Sequence, residues 1–173
     1  GAPLVGMDID AAGLVTLRQM GHPVSPKSPA KMKAIIESVP VPFILKGIMT
    51  ADQARLAVDV GAAAIVVSNH GGRVLDHAPG AAEVLPEIAA AVRGQIGILA
   101  DGGIRSGGDV LKMIALGADA VLIGRPFSVA TVGGGIDGAG LVEAFLKALP
   151  LLGRRKVQGV VFTWGSGFST ESM

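Results

Sequence analysis

His70 and Arg73 stand three residues apart in the run Ser68-Asn69-His70-Gly71-Gly72-Arg73, directly after the apolar stretch Ala64-Ile65-Val66-Val67. An imidazole, with an unperturbed pKa of about 6.5, can accept a proton near neutrality. A guanidinium offers a planar fork of donors that matches a carboxylate in two parallel hydrogen bonds. Together they read as a base beside an anion clamp, suited to a small acid held by its carboxylate. Asp8, which closes another apolar run, could orient His70 by accepting from one ring nitrogen. Taken alone, His70 could equally be a structural turn residue, and Arg73 could pair with Asp76, so the neighbours decide the reading.

Those neighbours have one feature in common. Asp8, Lys46-Gly47, Ser68 to Arg73, Asp101-Gly102-Gly103-Ile104-Arg105 and Gly124-Arg125 each follow a short apolar run. If the runs are parallel strands, all five segments fall on the carboxyl-end rim of one sheet, where α/β proteins assemble active sites from separate strands. Gly102, Gly103 and Gly124 lack Cβ atoms and let backbone N–H groups approach a ligand oxygen, while Arg105 and Arg125 supply charge. This describes a phosphate cradle, with the helix opening at Ser106-Gly107 adding its dipole. Such glycines can also merely turn the chain, but two loops of the same chemistry favour phosphate. Lys46 would set an ammonium at the centre of the rim.

The elements that must position these residues follow from hydrophobic pattern. Strands are expected at Leu4 to Met7, Val41 to Leu45, Ala64 to Val67, Ile96 to Ala100 and Ala120 to Ile123. Helices are expected at Ser28 to Ser38, Ala51 to Val60, Gly80 to Val92, Gly107 to Leu116 and Gly138 to Leu149. Gly61 and Gly117 each close a helix just before a strand, marking a repeated βα unit. Alternation of this kind gives an α/β fold with a parallel sheet, either doubly wound or a (β/α)₈ TIM barrel. A barrel typically takes about 250 residues, so 173 residues and five strands suit a partial barrel holding about the last five βα units. The chain reads as a piece of something longer.

Composition narrows the function classes. With 15 Lys+Arg against 14 Asp+Glu the formal charge is +1, and no basic block interleaved with aromatics points to nucleic acid. There is no cysteine, which removes disulfides, thiolate metal ligands and Cys nucleophiles. His22 and His77 lack partner spacing and read as surface residues, so no metal site is expected. Mean hydropathy is +0.56, yet every apolar run stops well short of the roughly 18 residues a spanning helix needs. With no membrane span and no secretory signal, a cytoplasmic setting is the expectation.

Taken together, Lys46-Gly47-Ile48, Ser68 to Asp76, Asp101 to Arg105 and Gly124-Arg125-Pro126 resemble the FMN-dependent α-hydroxy acid oxidase and dehydrogenase family, whose members include glycolate oxidase, lactate oxidase and mandelate dehydrogenase. The resemblance implies a (β/α)₈ barrel with FMN at its carboxyl-end rim, and residues 1–149 as the carboxyl-terminal part of it. His70 would be the base that takes a proton from the substrate, with Asp8 as its partner, and Arg73 would bind the substrate carboxylate. Lys46 would face the flavin N1 and C2 carbonyl edge, and Ser68 would hydrogen-bond the isoalloxazine. Asp101 would hold the ribityl chain, and Gly102, Gly103, Arg105, Gly124 and Arg125 would surround the phosphate. The substrate would be a small L-2-hydroxy acid, the electron acceptor oxygen or a quinone, and the whole barrel a homo-oligomer.

Departures from the family pattern are also visible. The chain has no Tyr, whereas the family contacts substrate through tyrosines of earlier strands, and residues 150–173 form an atypical tail expected to be flexible or non-native. Two alternatives remain. The Asp101 to Arg105 loop is shared in style with the IMP dehydrogenase family, which needs a catalytic Cys that this chain lacks. A non-catalytic half-barrel is the other, since an incomplete barrel leaves strand edges open.

Overall fold

The computed structural model describes residues 1–21 and 24–134. His22, the expected helix at Gly138 to Leu149 and the tail at 150–173 lie outside the described residues. Five strands alternate with helices: β1 (Val5–Asp8), α1 (Val15–Gln19), α2 (Pro29–Glu37), β2 (Phe43–Ile48), α3 (Ala51–Asp59), β3 (Ala64–Val67), α4 (Ala81–Val92), β4 (Gly97–Ala100), α5 (Gly107–Leu116), β5 (Ala120–Val121) and α6 (Arg125–Gly134). Single 3₁₀ turns lie at Asp10–Gly13 and His70–Gly72. Local chemistry explains several helix starts. Pro29 occupies the first turn of α2, where its missing N–H costs nothing, and Thr50 with Gln53 forms a reciprocal cap on α3.

All pairings are parallel, and the strand order is β1-β2-β3-β4-β5. A doubly wound sheet reverses its order at a switch point. Here each strand pairs with the next in sequence, which is the winding of a barrel.

The sheet has two different apolar faces because side chains alternate along each strand. Phe43, Leu45, Ile65, Val67, Ile98 and Ala100 face the helices, where Leu85, Ile88 and Val92 of α4 are fully buried. Each such aliphatic side chain contributes about 1.5–3 kcal/mol when buried. Val66, Leu99 and Leu122 form a smaller cluster on the opposite face, flanked by Ile44, Ala64 and Ala120. Two residues further along each strand, the inner face continues into Lys46, Ser68, Asp101 and Gly124. The polar rim is therefore the carboxyl-end extension of the inner apolar layer.

Three features beyond the pattern-based expectation bear on the site. Strand β2 runs three residues past Leu45, keeping Lys46 and Gly47 inside the ladder. Gly47 has φ +97°, and the register with β3 shifts between Lys46 and Ile48. Only glycine adopts that conformation without strain, so the polar Lys-Gly pair marks a bulge rather than a strand end. Second, a helix not expected from the pattern, α6, begins at Arg125 with Pro126 in its first turn. Third, a cavity of about 480 Å³ lies behind β1 and β2, against α2 and α3, with Asp8 of the rim in its lining.

Candidate active site

The rim is organised around Lys46. Its ammonium bonds Asp8 Oδ1 at 2.7 Å and lies 3.8 Å from Asp101 Oδ2, so one side chain from β2 spans carboxylates at the ends of β1 and β4. Asp101 is enclosed, and burial pushes its carboxyl above the usual range, while a hydrogen bond with Ser68 and the charge of Lys46 act in the opposite direction. Its Oδ1 is buried and has no partner among the described residues.

The His70 turn is locked from beneath. Ser68 is fully buried, and its Oγ accepts the His70 N–H at 3.1 Å. Asn69 Oδ1 accepts the Gly72 N–H, and Asn69 Nδ2 donates to the Pro79 carbonyl. These bonds hold His70 at φ +57°, with Gly71 at +69° and Gly72 at +75°. Left-handed backbone is uncommon for a residue with a side chain, and its cost is sustained where surrounding contacts over-determine it. Arg73 Nε then donates to the His70 carbonyl at 3.1 Å, which ties the guanidinium to the imidazole-bearing residue rather than to Asp76.

Beside His70 the geometry differs from the expectation. Its Nδ1 lies 3.2 Å from Asp10 Oδ1 and 4.0 Å from Asp8 Oδ1. Asp8 is held by Lys46 instead, so Asp10 is the carboxylate at hydrogen-bonding distance of the ring. Asp10 escapes a strand-end search because it sits two residues beyond β1 in a 3₁₀ turn. Its spacing from Asp8 and the glycine opposite, at position 47, were the available signals. Oxygen and nitrogen atoms of Asp8, Asp10 and His70 lie within 4.8 Å of one another, close enough for a metal ion, but the cation beside them is the Lys46 ammonium.

The glycine-rich loops contrast with this packing. Gly102 (φ +89°), Gly103 (φ +73°) and Gly124 would each carry a Cβ into open space. Arg105 and Arg125 are exposed. Arg125 leans over the His70 turn, its Nη2 3.3 Å from the place a Cβ would take on Gly71. The amino end of α5 does not contribute as expected. The Asp109 carboxylate accepts from the N–H groups of Arg105 and Ser106 and from the Ser106 hydroxyl, which lowers the Asp109 pKa. That helix end already has its anion, leaving the loops at 102–103 and 124–125 as the open ones.

Residues 10–158 match the model of the FMN-dependent dehydrogenase family. This chain belongs to that family. Among curated relatives, the 4-hydroxymandelate oxidase of Amycolatopsis orientalis is 54% identical over 114 residues, covering 66% of this chain and 32% of the relative. The L-lactate oxidase of Nostoc sp. is 48% identical, covering 70% and 34%. A mandelate oxidase mutant solved with (S)-mandelic acid superposes with a TM-score of 0.78 at 40% identity, over 91% of this chain and 53% of the other. The same mutant with a monooxide FMN adduct gives 0.76 at 42% identity, over 86% and 48%. The chain thus spans about a third of these curated relatives and about half of the solved barrels, and its five consecutive parallel strands are part of a (β/α)₈ barrel.

Among the described residues no helix is long and apolar enough to cross a membrane.

Proposed function

We propose that this chain carries the base and carboxylate-binding half of an FMN-dependent oxidoreductase that converts a small L-2-hydroxy acid into its 2-oxo acid. The observation that carries the reading is the single turn that joins His70 to Arg73 through the Nε to carbonyl bond, facing Lys46 and Asp101 across the rim. An acid bound by the Arg73 Nη groups would bring its α-carbon alongside the imidazole, where His70 takes the proton of the hydroxyl.

The residues present fit FMN. Asp101 Oδ1 is a buried acceptor without a partner among the described residues, suited to a ribityl hydroxyl. Gly102, Gly103 and Gly124 leave open space beside two exposed arginines, 105 and 125, suited to a phosphate. When bound, FMN would supply the acceptor for the α-hydrogen together with its electron pair, and oxygen or a quinone would remove the electrons afterwards. Lys46 keeps positive charge at the inner edge of the rim. Ser68 supports the site from below, its hydroxyl engaged by His70 and Asp101. The same family resemblance motivates a homo-oligomeric holoenzyme.

The test is spectroscopic. The purified chain, mixed with FMN, should acquire a bound-flavin spectrum that bleaches anaerobically with lactate, glycolate or mandelate. Bound flavin that no member of a broad 2-hydroxy acid panel bleaches would refute the oxidation and leave a flavin-binding half-barrel.

A further inference from the structure

We infer that Asn69 is a positioning residue that closes the neck of the loop from His70 to Pro79 and so keeps base and clamp at a fixed spacing. The inference rests on the oxidase reading above for the roles of His70 and Arg73. The Asn69 carboxamide makes two bonds at once. Its Oδ1 accepts the Gly72 N–H at 3.2 Å, and its Nδ2 donates to the Pro79 carbonyl, ten residues on, at 3.0 Å. These partners fix the orientation of the amide, because an N–H must meet its oxygen and a carbonyl its nitrogen.

Both ends of the neck are anchored. Asn69 follows Ser68, which is fully buried past the end of β3 and whose N–H donates to the Ile48 carbonyl. Pro79 precedes Gly80, whose N–H donates to the Glu83 carboxylate at 2.8 Å, and Ala81 and Leu85 are buried in the first turns of α4. The outgoing leg is tied to itself: the Gly72 N–H also reaches the Asn69 carbonyl at 3.0 Å, and Arg73 Nε reaches the His70 carbonyl. On the return leg the side chains of Val74 to Ala78 make no hydrogen bond or ion pair among the described residues, and Leu75 is 71% exposed. Yet this leg holds His77 at φ +60°, and His70 and His77 are the two non-glycine residues with positive φ among those described. Left-handed backbone persists where the surroundings over-determine it. The bond from Asn69 Nδ2 to Pro79 spans the two legs and supplies that constraint.

Asn69→Asp isolates the neck, since a carboxylate still accepts the Gly72 N–H but has no hydrogen to donate to Pro79. In the FMN-loaded chain its half-saturating hydroxy acid concentration should rise about three- to tenfold, the loss of one hydrogen bond, with the limiting rate of anaerobic bleaching within about threefold of the parent. Asn69→Ala removes both bonds and should show the same rise without any added charge, and its limiting rate should fall roughly 10–10²-fold as the base is displaced. FMN affinity should change little in either variant, because Lys46, Asp101 and the open glycine loops lie outside the neck. Trypsin reads the neck without flavin: cleavage after Arg73 should be several-fold faster in both variants than in the parent, as local opening becomes easier. A merely structural residue would lower the melting temperature and the fraction of flavin bound, with kinetics per bound flavin unchanged, and that result overturns the inference. So does an Asn69→Asp chain whose half-saturation and cleavage rate match the parent; if Asn69→Ala fails to fold, this variant decides alone. Faster cleavage of the variants beside a parent chain that binds FMN but never bleaches leaves the neck standing and refutes the oxidase reading alone.

Discussion

The two sides of the rim are built differently. From β1 to the start of the β4 loop, charged side chains engage one another: Lys46 with Asp8 and Asp101, His70 with Asp10, Arg73 with the His70 carbonyl. From Gly102 to Arg125 the loops present open glycines and exposed arginines. A group that must be aimed to a fraction of an ångström is fixed by the protein before any ligand arrives, as proton transfer requires. A doubly charged phosphate needs only donors and space, and can order its own loop on arrival.

Substitutions should divide along the same line. On the packed side, His70→Ala should slow flavin bleaching by roughly 10²–10⁴-fold while FMN affinity changes little, measured by stopped-flow absorbance and flavin titration. Arg73→Lys keeps the charge but loses the fork, and the half-saturating hydroxy acid concentration should rise about ten- to hundredfold, the cost of a charge-assisted hydrogen bond. On the open side the pattern reverses. Arg105→Ala and Arg125→Ala should each weaken FMN binding by about tenfold, with the melting temperature of the free chain nearly unchanged because both are exposed. If Arg105→Ala instead destabilised the free chain strongly, the open side would prove to be as pre-assembled as the other.

Smaller effects are read first in stability. Ser106→Ala removes the cap of α5 and should cost about 0.5–2 kcal/mol in denaturant unfolding. The least effect is expected at Asp101, where opposing influences partly cancel. Burial raises its pKa above the ordinary 3.8, so the folded chain holds this proton more tightly than the unfolded chain. Its contribution to stability therefore falls as pH rises from about 3.8 through the raised value. Asp101→Asn should raise the melting temperature at neutral pH, with no gain below pH 3.8. The same change should weaken FMN binding if Asp101 holds the ribityl chain.

Much of this architecture was readable from the residues. Ala64–Val67 matches its expected strand residue for residue, because an apolar run dominated by β-branched side chains is bracketed by Gly61 and the polar turn. Gly107–Leu116 matches as well, with Ser106 before it and Gly117 after it. Strand β2 was cut short because Lys46 resembles an end, although a lysine can continue the inner face of a strand when carboxylates wait on its neighbours. Asp10 was illegible for a related reason. Its meaning lies in the empty volume at Gly47 on the next strand, and one chain read in order does not reveal which glycine faces which acid. The residues gathered on the rim could therefore be read from the sequence, but not which of two aspartates, only two residues apart, lies beside His70 and which beside Lys46.

Lys46 also sets the shape of the sheet. Neighbouring strands lie about 4.8 Å apart, so Asp8 at the end of β1 and Asp101 just past β4 would be some 14 Å from one another across a flat sheet. One ammonium touching both is possible because the sheet curls toward its inner face, and the contact in turn resists flattening. Lys46→Met would leave the carboxylates of Asp8, Asp10 and Asp101 to repel one another at the mouth of the fold. Lys46 thus acts as a tie-bar between the ends of β1 and β4, joining charge balance to curvature at this rim.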